Sequence, residues 1–112
     1  MTSVAAIRDR HRSLRIAHLR EGVAPLVSAC PGASVLLFGS LARGDWDGFS
    51  DVDLLALAPT QAQASQLADA LLSAGLGDDV IALSEVRWQQ LQASGDPYWA
   101  AIGSDAMALE PR

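Results

Sequence analysis

Two short apolar runs, joined by a glycine-rich acidic loop, constrain the fold of this chain most strongly. The first run covers residues 34–38 and stops at a Gly-Ser pair. The second covers residues 51–57 and carries Asp51 and Asp53 at alternate positions. Because short apolar runs bounded by turn residues are typical of buried strands, we predict two strands that lie close together in the sheet.

The rest of the chain alternates between helical and strand-like spacing of apolar residues. This alternation predicts one α/β (α+β) domain over residues 1–112, with a mixed sheet of about four strands flanked by helices. A chain of 112 residues is long enough for one core and too short for two. Predicted helices are 4–29, a single turn at 40–43, 61–74 capped by Thr60, a short one capped by Ser84, and one around 98–102; further predicted strands are 79–83 and 106–109.

The charge balance excludes several classes of function. The formal net charge is −5, and all eight basic residues are arginines. An acidic domain is a poor candidate for direct nucleic-acid binding, and the absence of lysine excludes a Walker-type phosphate loop. One cysteine, Cys30, cannot form an internal disulfide, and no apolar segment is long enough to cross a membrane. We therefore expect a cytoplasmic protein without membrane contact.

Two aspartates on one strand face need an explanation. Side chains alternate along a strand, so Asp51 and Asp53 are expected to point the same way and to repel each other. A divalent cation removes that repulsion, and Mg²⁺ prefers carboxylate oxygens together with substrate phosphates. A third acid at the start of the next strand would extend the site. Asp79 has the cleaner apolar run behind it, although Asp78 takes its place if the register shifts by one residue.

The Gly-Ser pair supplies a complementary feature. Gly39 allows the backbone to approach a bulky anion, and amides at the start of a helical turn at Ser40 would point at a phosphate. The loop that follows has the length to bring the second strand beside the first. The sequence thus predicts an anion cradle opposite the carboxylates.

These residues together resemble the minimal nucleotidyltransferase (MNT) family of the DNA polymerase β-like nucleotidyltransferase superfamily. The resemblance rests on Phe38-Gly39-Ser40, then ten residues, then Asp51-Val52-Asp53-Leu54, within the string GSLARG…SDVDL. DDVIALSEV is similar to the strand of that family that carries a third acid. The resemblance implies that nucleotide phosphates contact Gly39, Ser40, Arg43 and Ser50, and that Asp51, Asp53 and Asp79 bind Mg²⁺ and are catalytic.

What the resemblance implies about function is transfer of a nucleoside monophosphate, AMP from ATP, to an acceptor hydroxyl. Members of the family are often antitoxins paired with HEPN-domain toxins, so a HEPN-type protein is the expected partner and acceptor, with a homo-oligomer also open. Two alternatives remain at this stage. One is a non-catalytic antitoxin that acts by contact, and the other is a nucleotidyltransferase for a small molecule of aminoglycoside type.

Several residues have simpler interpretations. Arg43 could neutralise the acidic loop instead of binding phosphate. The arginines of the first helix are expected on a solvated face, the leucines of the 61–74 helix face the core, and the lone cysteine is a small core residue. The residues concerned are Arg8, Arg12 and Arg15; Leu67, Leu71 and Leu72; and Cys30.

Overall fold

The computed structural model describes residues 3–46 and 51–110. Helices and strands alternate along the described residues, apart from two consecutive helices before the last strand, as the apolar spacing predicts. The elements are α1 (Val4–Ser28), β1 (Ser34–Phe38), α2 (Ser40–Arg43), β2 (Asp53–Ala58), α3 (Gln61–Ser73), β3 (Asp79–Ser84), α4 (Glu85–Gln92), α5 (Pro97–Asp105) and β4 (Met107–Ala108).

One four-stranded mixed sheet organises the described residues, in the order β3-β2-β1-β4. Strand β1 runs antiparallel to both β2 and β4, whereas β2 and β3 are parallel. The parallel pair requires a crossover, which α3 provides. The predicted fold class, a mixed sheet of about four strands flanked by helices, is confirmed.

The first face of the sheet packs against α1 and α3 and forms the main core. Val35, Leu37, Leu54 and Ala56 are the sheet residues of this cluster, and all are fully buried. The helices contribute the buried side chains Leu19, Val23, Leu67 and Leu71. The prediction that Leu72 also faces inward is wrong, since 45% of this residue is exposed. Each residue advances a helix by about 100°, so the position after Leu71 turns away from the sheet.

The second face carries the alternate strand positions and is covered by α4 and α5. Leu55 and Leu57 are buried on it, and Ile102 of α5 is 5% exposed. Trp88 of α4 and Trp99 of α5 meet edge to face, with ring centroids 6.5 Å apart, and this contact joins the two helices. The cover is incomplete at the end of the face where β2 and β3 begin, since Asp53 is half-buried and Asp79 is exposed there.

Strand β2 begins two residues later than predicted. Asp53 pairs with Phe38, the last residue of β1, after which the chain turns into α2. Residues 51 and 52 therefore have no β1 partner, and Asp51 precedes the strand instead of lying in it.

The remaining boundaries differ little from prediction. The predicted caps are confirmed, because Thr60 Oγ1 accepts from the Gln63 amide and Ser84 Oγ accepts from the Arg87 amide. Helix α5 is longer than expected and β4 is reduced to two residues. Cys30 is half-buried instead of a core residue. No helix among the described residues is both long and apolar enough to span a membrane.

Candidate active site

A row of three paired residues crosses the second face where β1 ends and β2 and β3 begin. Phe38 pairs with Asp53, and Asp53 pairs with Asp79. Directly paired residues on adjacent strands have side chains on the same face, with Cβ atoms about 5 Å apart. Two of the three predicted acids, Asp53 and Asp79, are therefore brought together on one surface.

The electrostatics of Asp53 reflect this crowding. Partial burial raises the pKa of Asp53, and the negative charge of Asp79 raises it further. Asp51 and Asp78 act in the same direction with smaller effects, while the positive charge of Arg43 opposes them. Loss of hydration and like-charge repulsion both disfavour the carboxylate form, so a cation at this position would be stabilising.

Asp78 and Asp79 have different environments, which decides which of them joins the row. Asp78 Oδ2 accepts from the Val52 amide at 2.7 Å, and the Val52 carbonyl accepts from the amides of both aspartates. Through these hydrogen bonds the Asp78 carboxylate connects the residue before β2 to the start of β3. Asp79 is exposed and paired with Asp53. Asp51 is exposed ahead of β2, outside the row.

Gly39 lies directly against the Asp53 carboxylate. Its φ is +80° with ψ −160°, a backbone conformation that is almost restricted to glycine. A Cβ placed on Gly39 would collide with Asp53 Oδ2. The glycine thus allows the backbone before α2 to approach the acid closely, and Ser40 begins the helical turn at that point. Both members of the predicted Gly-Ser cradle lie beside the acidic row.

Arg12 anchors the turn that follows Gly39. Its Nε donates to the Leu41 carbonyl at 2.7 Å and its Nη2 donates to the Ala42 carbonyl at 2.8 Å. A guanidinium at the carboxyl end of a helix satisfies carbonyls that have no intrahelical donor. The prediction of a purely solvated arginine face is wrong at this residue, although Arg8 is exposed. Nothing in the local sequence signals the contact, because 29 residues separate Arg12 from Leu41.

Arg43, at the end of α2, is held by two acids. Its Nη1 donates to Asp105 Oδ2 at 2.9 Å and its Nε donates to Asp45 Oδ2 at 3.4 Å. The hydrogen bond to Asp105 is the main cause that raises the pKa of Arg43. The interpretation of Arg43 as a partner of the acidic loop thus has direct contacts in its support. Ser50, the other predicted phosphate contact, lies outside the described residues, as do residues 47–49.

An open cavity of about 460 Å³ lies over the acidic row. Residues of β1, β2 and β3 line it, and α5 contributes one residue at its rim. The lining residues are Phe38, Asp53, Asp79, Val80, Ile81 and Tyr98.

The donors present suit a hard divalent cation. Among residues 3–46 and 51–110, no group of three or more acidic, His or Cys side chains is arranged to hold a metal ion. Mg²⁺ does not require one, because it is typically bound by one or two carboxylates together with substrate phosphates and water. Asp53 and Asp79 supply two carboxylates. Gly39, which has no room for a Cβ beside Asp53, brings the start of α2 close to these carboxylates, so the residues fit Mg²⁺ bound together with a phosphate ligand.

Comparisons with known proteins agree with this geometry. A nucleotidyltransferase domain family model matches residues 16–94, which include Gly39, Asp53 and Asp79. A crystal structure of a candidate nucleotidyltransferase from Sulfolobus solfataricus has a similar fold, with a TM-score of 0.55 and 21% sequence identity. That similarity covers 96% of this chain and 87% of the other. Comparison with curated proteins gives no significant match. Since the family model spans most of the chain and includes the acidic row, this protein belongs to the nucleotidyltransferase domain family.

Proposed function

We propose that the chain transfers a nucleoside monophosphate, AMP from ATP, to an acceptor hydroxyl at the acidic row. The observation that supports this most directly is the pairing of Asp53 with Asp79, with Gly39 packed against Asp53. Family membership supports nucleotidyl transfer in general. The choice of ATP and of the acceptor is part of the proposal.

Asp53 and Asp79 would hold Mg²⁺, and Asp51, just before β2, adds negative charge nearby. Bound Mg²⁺ would neutralise phosphate charge and polarise the phosphoryl oxygens. In this arrangement the two ionised carboxylates offer oxygen ligands to the metal from neighbouring strands. The pairing of β2 with β3 fixes the spacing between them. The rigid sheet thereby prepositions charge where the triphosphate binds, which is how phosphoryl-transfer sites do most of their work.

The remaining residues of the site would position the phosphates. Gly39 lets the backbone come close to Asp53, and Ser40 offers its amide and hydroxyl to phosphate at the start of α2. Arg12 keeps that turn in place through the two carbonyls it binds. Arg43 contributes positive charge, and its contacts with Asp45 and Asp105 limit its freedom to move.

Asp79 would act as the base for the acceptor. It is exposed at the rim of the cavity, so its Oδ atoms are accessible to an incoming hydroxyl. Proton transfer to a positioned carboxylate contributes about 10²–10⁴-fold in typical enzymes. Replacement of Asp79 by Asn would therefore slow transfer, and it would also weaken Mg²⁺ binding, because Asp79 is one of the two proposed ligands of the ion.

The acceptor proposed here is a hydroxyl on a HEPN-type toxin, which makes the protein an enzymatic antitoxin. The rival proposal is an antitoxin that acts by contact alone. Exposed apolar side chains on α1 favour a protein partner in either case, since Val4, Ile7 and Leu14 are 74%, 44% and 59% exposed. Apolar side chains that recur on one exposed helix face are a common feature of protein interfaces.

One experiment separates these two roles. The chain, ATP, Mg²⁺ and the product of a neighbouring HEPN-type gene are incubated together, and mass spectrometry is used to detect AMP on the partner. The Asp53→Asn variant is tested in parallel, with Asp69→Asn on the exposed face of α3 as the matched control. AMP on the partner that requires Asp53 supports the enzymatic antitoxin. Full toxin neutralisation by Asp53→Asn, without AMP transfer, would establish the contact mechanism instead.

A further inference from the structure

The cavity over the acidic row includes a residue that the proposed reaction has not yet used. Tyr98, on α5, lines it together with Asp53 and Asp79. Among the six described residues that line the cavity, Tyr98 is the one with a hydroxyl group. Nucleotidyl transfer consumes a hydroxyl, so the cavity contains both the acids and a possible acceptor.

The position of Tyr98 is fixed while its side chain stays accessible. Its amide donates to Asp96 Oδ1 at 2.9 Å, in the N-cap of α5. Its ring meets Trp99 edge to face, with centroids 5.1 Å apart, and Trp99 in turn contacts Trp88 of α4. Despite these contacts, 59% of Tyr98 is exposed. The aromatic cluster thus presents the tyrosine at the cavity rim.

We propose that Tyr98 is an acceptor, and that the chain transfers a nucleoside monophosphate to its own Tyr98. This inference rests on the proposed function, because the same acidic row would activate the nucleotide. The phenolic oxygen attacks the α-phosphorus of the triphosphate and forms a new P–O bond. The bond from the α-phosphorus to the bridging oxygen breaks, pyrophosphate leaves, and the phenolic proton passes to the Asp79 carboxylate, the proposed base, and from there to solvent. The product is a tyrosine-linked nucleoside monophosphate.

Such a modification would limit the enzyme itself. The attached group places a phosphodiester charge and a nucleoside at the cavity that admits the next triphosphate. A cavity of about 460 Å³ that holds two aspartates disfavours a second anion when part of its space is already filled. Modified chains should therefore bind ATP more weakly than unmodified chains.

The test uses the full chain with ATP and Mg²⁺ and no added acceptor, followed by mass spectrometry of its peptides. The sequence contains one tyrosine, so a tyrosine-linked AMP identifies Tyr98 without ambiguity. We expect AMP on the wild type and on Ser73→Ala, a control that removes an exposed hydroxyl from α3. We expect none on Tyr98→Phe, which keeps the aromatic ring against Trp99, or on Asp53→Asn. Thermal melts verify that each variant is folded.

Kinetics and nucleotide binding complete the experiment. For transfer within one chain, the rate should not depend on protein concentration, and a rate that rises with concentration would overturn the proposal. Labelling of Tyr98 that persists in Asp53→Asn would also overturn it. If ATP binds through Asp53 and AMP reaches another acceptor while Tyr98 stays unmodified, this inference fails and the proposed function stands. If neither ATP binding nor any transfer depends on Asp53, both fail.

Discussion

Replacing Asp53 with asparagine is expected to stabilise the fold while it abolishes nucleotidyl transfer. Asp53 and Asp79 are directly paired across β2 and β3 and carry like charges. Asparagine has nearly the same shape and removes one of the two charges. A directly opposed cross-strand pair contributes roughly 0.2–1 kcal/mol, with like charges destabilising. For a domain of about this size, that free energy corresponds to a rise in melting temperature of about 1–5 °C.

The pH dependence has a definite sign. The folded-state pKa of Asp53 is raised, first by burial and then by the charge of Asp79. Between the unfolded and folded pKa values the folded state binds more protons, so stability falls as pH rises through that window. The advantage of Asp53→Asn should therefore be full above the folded pKa and should shrink as the pH falls from the folded pKa toward the unfolded one.

The assay is thermal unfolding followed by circular dichroism in low-salt buffer with EDTA, at neutral pH and again in acid. Asp69→Asn serves as the control, because Asp69 is an exposed carboxylate on α3. The single variants Asp53→Asn and Asp79→Asn and the double variant complete a double-mutant cycle. Because either substitution alone relieves the repulsion, the double variant should be about as stable as a single variant, and the coupling energy should be comparable in size to the stabilisation by Asp53→Asn. Addition of MgCl₂ with ATP should raise the melting temperature of the wild type more than that of Asp53→Asn. A lower melting temperature for Asp53→Asn, or zero coupling, would refute the reasoning.

Three further predictions concern the support of the site. Gly39→Ala should be destabilised by about 1–3 kcal/mol and inactive, because the backbone conformation suits glycine and the new Cβ collides with Asp53; urea unfolding and ATP titration measure the two effects. Arg12→Met keeps the side-chain stem but loses two hydrogen bonds to α2, so we expect a loss of about 1–3 kcal/mol and weaker ATP binding; unchanged ATP affinity would contradict the positioning role. Asp78→Asn keeps an amide oxygen that can accept the hydrogen bond from the Val52 amide, whereas Asp78→Ala removes the acceptor. The free energy of unfolding should therefore fall by less in Asp78→Asn than in Asp78→Ala, and denaturant titrations should show a difference of about 1 kcal/mol.

The sequence predicts the two strands and the acidic loop between them because those features are local. The sequence shows that the first apolar run ends at Gly39 and that the aspartates follow it. The structure places Gly39 against Asp53. Strand alternation alone placed Asp51 and Asp53 on one strand. The end of β1 decides where its partner begins, and that boundary leaves Asp51 outside.

What the sequence could not predict depends on contacts between distant residues. The choice between Asp78 and Asp79 follows from hydrogen bonds to residue 52, which no composition or periodicity reveals. Arg12 looks like any other exposed helical arginine until α2 is placed beside it. The family resemblance predicted nucleotidyl transfer, which the family model supports. The cytoplasmic location, the HEPN partner and the roles of single residues stay predictions.

The pairing of β1 with β4 has a consequence for synthesis on the ribosome. Strand β1 gains its outer neighbour from residues 107 and 108, which are translated about seventy positions later. Arg20 of α1 donates to the carbonyls of Ala108 and Leu109, and Glu110 accepts from the Val35 amide of β1. The last described segment is therefore hydrogen-bonded to both the first helix and the first strand. Until it emerges, one side of β1 exposes unpaired backbone groups, which are the kind of edge that recruits other chains. The nascent polypeptide should consequently keep this edge open to association with other chains until residues 107–110 leave the exit tunnel.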